Sequence, residues 1–118
     1  MTAGHPSSSP MPELELAGAD AASATYRLRV PATLEHFRGH FPSFPILPGI
    51  VQLDWAVRLG RRHFSGLDES RGVDNFKCQA LVFPEAALTL ELKRDKTGLQ
   101  FRFFDAQRTY SSGKVLFA

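Results

Sequence analysis

Three residues in the middle of the chain carry groups suited to moving protons beside a carbonyl: His40, Gly49 and Asp54. An imidazole exchanges protons near neutral pH, and a carboxylic acid can donate one. A glycine lets a ligand oxygen come close to its backbone N–H. The three straddle a change of local structure. Residues 39–49 read GHFPSFPILPG, with Pro42, Pro45 and Pro48 set three apart. Proline removes a backbone donor and blocks helix, so this stretch is a stiff, extended loop. Beyond it Ile50, Leu53, Val57, Gly60 and Phe64 recur at steps of three and four and share one face, which predicts a helix over about 49–64, with Gly66 as its stop. The first N–H groups of such a helix, beginning near Gly49, have no partner inside it and can receive developing negative charge. Asp54 lies about 40° around the helix from Ile50, at the edge of the expected apolar stripe. A carboxyl group there is partly desolvated, which favours the protonated form that a general acid needs. A plainer reading stands beside this one. A loop histidine is usually hydrogen-bonded or exposed, and Gly49 can be a simple loop-to-helix transition. Asp54 and Arg58, four residues apart, then form a surface pair worth about 0.3–0.5 kcal/mol.

The elements that must hold these groups can be read on either side. Leu14 and Leu16 alternate with Glu13 and Glu15. After a turn at Gly18-Ala19-Asp20, Tyr26, Leu28 and Val30 alternate with Thr25, Arg27 and Arg29, until Pro31. Beyond the helix, residues 73–83 form a strand ended by Pro84. Leu88, Leu90 and Leu92 alternate with charged or polar neighbours, as do Leu99, Phe101 and Phe103, and Val115 and Phe117 close the series. Period-two patterning predicts half-buried strands. Turn signals stand at Asp95-Lys96-Thr97-Gly98 and at Ser111-Ser112-Gly113. The order is two strands, one helix and about four strands: an α+β domain whose antiparallel sheet covers the helix's apolar stripe. Phe83, Phe101, Phe103 and Phe104 read as core first, and Cys78 as a small buried hydrophobe. His36 and His63 read as structural or packing residues.

Composition narrows the function. A length of 118 residues predicts one domain, over 13–118, after a loose tail at 1–12 that contains Pro6, Pro10, Pro12 and three serines. A formal net charge of +2 does not support a nucleic-acid-binding face. No apolar run is long enough for a membrane span, and the first residues lack the basic start and apolar stretch of a secretory signal. One cysteine makes no intrachain disulfide, supports no Cys/His zinc site and points to a reducing, cytoplasmic setting. Arg58, Arg61 and Arg62 fall in the helix's second half. They can meet an acidic protein or a phosphate, or simply complement the helix dipole.

Residues 39–56, GHFPSFPILPGIVQLDWA, resemble the signature of the β-hydroxyacyl-acyl-carrier-protein dehydratases, a family with the hotdog fold. His40-Phe41-Pro42, Pro45, Pro48-Gly49 and Asp54 match it in register, and residues 75–92 look like its strand pair around a proline. The run Leu47, Pro48, Gly49, Gln52, Leu53, Asp54, Trp55 and Ala56 is most similar to the dehydratases of bacterial aryl-polyene pigment clusters.

The resemblance implies a sheet of about five to six strands wrapped around one long central helix. It implies removal of water from a 3-hydroxyacyl thioester to give the 2-enoyl thioester, in fatty-acid-like or aryl polyene synthesis. His40 would take the proton α to the thioester, Asp54 would protonate the departing hydroxyl, and the Gly49 N–H would bind the thioester oxygen. Phe41, Pro48 and Trp55 would lie beside the substrate. No cofactor is implied beyond the phosphopantetheine arm of the acyl carrier protein, which Arg58, Arg61 and Arg62 would receive. In the family, histidine and acid come from different subunits, so a homodimer or a heterodimer with another hotdog subunit is implied. Two features depart from the fatty-acid enzymes: Asp54 stands where Glu is commonest, and Arg58 where Gln is common. A non-catalytic hotdog subunit supporting a partner dehydratase and a hotdog thioesterase are the alternatives, and the product formed distinguishes them.

Overall fold

A computed structural model describes residues 11–32 and 46–117. Expectations that concern His36, His40, Phe41 and most of the N-terminal tail fall outside these residues. Among the described residues, six strands and one helix follow in the order β1 (Glu13–Ala19), β2 (Ser23–Arg29), α1 (Gly49–His63), β3 (Ser70–Cys78), β4 (Ala87–Arg94), β5 (Gly98–Phe104) and β6 (Thr109–Phe117). The strands form one sheet in the order β1-β2-β4-β5-β6-β3, each neighbour antiparallel. The single helix packs on one face of that sheet, against β4, β5 and β6. The chain thus leaves β2 near one edge, crosses by way of the helix and re-enters as β3 at the other edge.

The period-two patterning has its expected result. Tyr26 and Leu28 of β2, Leu88, Leu90 and Leu92 of β4, and Leu99, Phe101 and Phe103 of β5 all turn inward and are buried. Their registers align the inward rows: Tyr26 stands opposite Leu90, and Leu90 opposite Phe103. Each such side chain, fully buried, contributes about 1.5–3 kcal/mol, which makes these rows the main support of the fold. Met11 packs on this core and Pro12 is buried.

The buried stripe of the helix is rotated from the expected one: Gln52, Trp55, Ala56 and Leu59 are buried together with Gly60 and Phe64 of the expected stripe, Leu53 packs at its margin, and Ile50 is 66% exposed. α1 has two apolar faces, and the small residues select between them. A side chain at Gly60 would run into Leu99 of β5, so Gly60 lets the helix approach closely and seat Trp55 and Leu59 in the core.

Three further expectations are corrected. Ser111, Ser112 and Gly113 lie inside β6, where they pair with β5 on one side, and Ser111 and Ser112 also pair with β3 on the other. Partners on both sides override the local turn chemistry. β3 ends at Cys78, not at Pro84. Cys78 and Phe83 are exposed because β3 is an edge strand whose nine residues all face solvent in this chain, and Phe83 lies in the loop that follows.

All three hairpins are tied by an aspartate. The Asp20 carboxylate accepts the N–H groups of Ala22 and Ser23, both at 2.8 Å, between β1 and β2. Asp95 accepts those of Thr97 (2.8 Å) and Gly98 (3.0 Å), and its other oxygen takes Lys114 at 2.8 Å. Asp105 accepts those of Gln107 (2.8 Å) and Arg108 (3.1 Å) and the hydroxyl of Tyr110. Such local bonds are why aspartate favours turns. They hold each carboxyl below its ordinary value of 3.8: backbone donors foremost at Asp20, Lys114 at Asp95 and Tyr110 at Asp105.

A lowered folded-state value means that the stabilisation is complete above the unfolded carboxylate range and is lost as pH falls through and below about 4. The melting temperature should therefore fall as pH drops from 6 to 3. In a triple Asp20→Asn, Asp95→Asn, Asp105→Asn variant, which keeps oxygen acceptors but does not titrate, that fall should be visibly smaller. Equal acid slopes for the two proteins, read by circular dichroism, would refute the assignment.

Candidate active site

The described part of the site begins at residue 46, just before the start of α1. Leu47 is buried and Pro48 is the N-cap residue, with no side chain capping the helix. The Pro48 carbonyl accepts the N–H groups of Val51 (3.1 Å) and Gln52 (3.3 Å), closing the first turn. The N–H groups of Gly49 and Ile50, ahead of that turn, are the ones a helix leaves for an outside acceptor.

Gly49 is required here by close packing. A Cβ at this position would overlap the sulfur of Cys78 on β3 and lie 3.4 Å from the Phe76 ring. The expected free approach to Gly49 is therefore occupied on its side-chain side by β3. What the missing side chain permits is contact between the helix start and the far edge strand. Cys78 stands opposite Ser111 in the β3–β6 register, and the Ser111 hydroxyl reaches Gln52 of the helix. The helix start, β3 and β6 thus meet at one place.

Asp54 lies one and a half turns further on. Its side chain is 50% exposed, on the face turned away from the sheet that it shares with Ile50. The sequence reading places it at the edge of the buried stripe. The rotation of the helix that buries Trp55 and Leu59 carries Asp54 outward, so its own chain does not desolvate it. Arg58 Nη1 lies 3.5 Å from its carboxylate, and the Arg58 side chain is only 19% exposed. The i, i+4 pair foreseen from spacing is present.

The remaining expected site residues separate into different environments. Pro48 is exposed at the helix start. Trp55 is fully buried among the core side chains, not on an open surface. Arg61 is engaged within its own chain: it donates to the carbonyls of Leu67 and Asp68, both at 3.0 Å, and its guanidinium lies 5.7 Å from the centre of the Phe117 ring. Arg62 is exposed on the last helical turn. The three arginines thus have different settings: Arg58 faces Asp54, Arg61 holds the loop after the helix, and Arg62 is exposed. His40 and Phe41 lie outside the described residues. One residue escaped the reading as a working part: Gln52, 2% exposed, is tied to both the loop and the sheet. Its signal was a lone amide among apolar neighbours in the first turns of a buried helix.

The Gly49 contact makes a direct test. Gly49→Ala should destabilise the chain by about 1–3 kcal/mol, the usual range for overpacking. Cys78→Ala should cost little alone, and the double variant should recover most of the loss. Strict additivity in denaturant unfolding would show that the two residues do not touch.

The family model described as ApeI-like, ApeI dehydratase, matches residues 17–114. Among curated proteins, the 3-hydroxyacyl-[acyl-carrier-protein] dehydratase FabZ of Roseiflexus sp. (strain RS-1) is 32% identical over 68 residues, covering 52% of this chain and 48% of the relative. That of Clostridium novyi (strain NT) is 31% identical over 64 residues, covering 48% and 45%. The match spans about half the length of these curated relatives. Among solved structures, the dehydratase heterocomplex ApeI:P from Xenorhabdus doucetiae superposes with a TM-score of 0.79 at 30% identity, covering 92% of this chain and 99% of that one. An uncharacterized protein from Erwinia carotovora subsp. atroseptica gives 0.77 at 28% identity, covering 92% and 97%. With the helix on its six-stranded antiparallel sheet and the family match across most of its length, the chain belongs to the ApeI-like dehydratases and has the hotdog fold.

Proposed function

We propose that this protein is a 3-hydroxyacyl-[acyl-carrier-protein] dehydratase that works as a pair of hotdog subunits in a reducing, cytoplasmic setting, in fatty-acid-like or aryl polyene synthesis. The observation that carries the reading is the division of the helix: its first N–H groups at Gly49, with Asp54 on the outward face about 7.5 Å further along the axis. The likeness to FabZ proteins and to ApeI:P supports the reaction class.

In this reading the His40 imidazole takes the proton from the carbon α to the thioester. Negative charge moves onto the thioester oxygen, which the Gly49 N–H receives at the positive end of the helix. The C–O bond at the β carbon breaks, Asp54 gives its proton to the leaving hydroxyl, and water and the 2-enoyl thioester result. The proton on His40 returns the acid to Asp54 through solvent or substrate exchange. Asp54 needs a surface over it to become desolvated, and its own sheet lies on the other side of the helix. A second subunit supplies that surface. The exposed Ile50 beside Asp54, and Val73 and Phe76 on edge strand β3, are apolar groups that such a subunit would cover. The substrate arrives on the phosphopantetheine of an acidic carrier protein, for which Arg62 is the best-placed of the three arginines.

A second reading has its own observation. Arg58 competes for the Asp54 carboxylate, and ApeI:P is a heterocomplex, so this chain can instead be the supporting member of a pair whose other subunit carries the chemistry.

The test is to supply the protein, alone and with a candidate partner subunit, with a 3-hydroxyacyl thioester on its carrier protein. A conjugated enoyl product is expected, and release of free acid would indicate a thioesterase. His40→Ala and Asp54→Ala should each lower kcat by about 10²–10⁴ while leaving subunit pairing unchanged by sedimentation. Full activity of a mixed complex carrying both substitutions in this chain would make it the supporting subunit. Arg62→Glu should raise KM for the carrier-bound substrate and leave turnover of a short pantetheine thioester unchanged.

A further inference from the structure

Among the described residues only two polar side chains are buried, Gln52 and Ser111, and they are bonded to one another. The Ser111 hydroxyl donates to Gln52 Oε1 at 2.6 Å, and Gln52 Nε2 donates to the Leu47 carbonyl at 3.2 Å. A buried amide is retained at a cost of about 1–3 kcal/mol unless its hydrogen bonds are made. Here one is made to the sheet and one to the segment that precedes the helix. The Leu47 N–H, in turn, donates to the Val82 carbonyl at 2.8 Å. Both backbone groups of Leu47 are therefore held, one by the loop after β3 and one by Gln52, two residues before Gly49. Beyond them, Gly49 is pressed against Cys78, which stands opposite Ser111.

We propose that Gln52, seated by Ser111, is the positioning residue of the site: it fixes the Leu47–Pro48 segment, and through it the direction of the Gly49 N–H, to strand β6, which is paired on both sides. An oxyanion donor works only if it points at the charge before the charge forms, and an error of about 1 Å costs on the order of 10²-fold in rate. Pro48 supplies no side-chain cap, so the orientation of the helix start depends on what holds Leu47 and Pro48. Gln52 touches neither substrate nor reacting atoms and acts through backbone alone.

The test measures position and rate separately. In Gln52→Leu, which keeps the volume but removes the amide, amide hydrogen exchange at Leu47 should rise about tenfold or more over wild type. Ser111→Ala should give a smaller rise in the same direction. Leu92→Ala, a core variant remote from the helix start, should lower the melting temperature at least as much and leave Leu47 exchange unchanged relative to the protein's general slowing or quickening. Where the enoyl product is formed, kcat in Gln52→Leu should fall about tenfold or more with KM within about threefold. Leu47 exchange at the wild-type rate in Gln52→Leu, or the same exchange and kcat changes in Leu92→Ala, would overturn the positioning role. The kinetic arm rests on the dehydratase reading, and absence of enoyl product from wild type would defeat that reading while the exchange arm still decides this one.

Discussion

Everything in this structure depends on how one amphipathic helix sits on one sheet. Trp55, Ala56, Leu59 and Gly60 form its buried face, and Gly60 lets it come down onto Leu99. That seating fixes the rotation of the helix. The rotation decides that Gln52 enters the interior and that Asp54 and Ile50 leave it. A carboxylate facing away from its own core and a helix start held tightly against it are two results of the same packing. The chemistry proposed needs both: donors that do not move, and an acid open to something outside the chain.

The sheet has two edges of different character. β1 is bound to β2 and carries Glu13 and Glu15 on the outside, paired with Arg29 and Arg27. Charged edges of this kind resist further pairing. β3 has Val73 and Phe76 exposed, a register irregularity between Asp74 and Lys77, and a left-handed backbone at Asn75. The bulge sharpens the local twist, and Cys78 at its end packs against Gly49. The edge that exposes Val73 and Phe76 is also the one that touches the candidate site.

Much of this was legible in the sequence. Strict alternation at Leu88, Leu90 and Leu92 and at Leu99, Phe101 and Phe103 identifies strands and their inner faces, because period two has one meaning when one face is buried. The prolines before Gly49 mark the helix start to the residue. The helix face was not legible, because both Ile50-Leu53-Val57 and Trp55-Ala56-Leu59 are apolar at helical spacing. The burial of Trp55 and Leu59 against the sheet distinguishes them, and that depends on residues far apart in sequence. For the same reason Ser111-Ser112-Gly113 reads as a turn until neighbours on both sides claim it. Gln52 was visible within the family-like run but silent as to its work, since its partners Leu47 and Ser111 are identified only by the fold. The matching positions His40 and Phe41 remain legible by sequence alone.

The crossover from β2 to the far edge has a consequence for the order in which the chain can assemble. β3 precedes its neighbour in the sheet, β6, by some thirty residues of sequence, and strands β4 and β5 lie between. During synthesis β1 and β2 can pair at once, but β3 must wait for the C-terminal strand before it gains a ladder. Closing that long loop is slow relative to the local hairpins. The contact between Cys78 and Gly49 requires β3 to be docked, so the setting of the helix start depends on a long-range pairing.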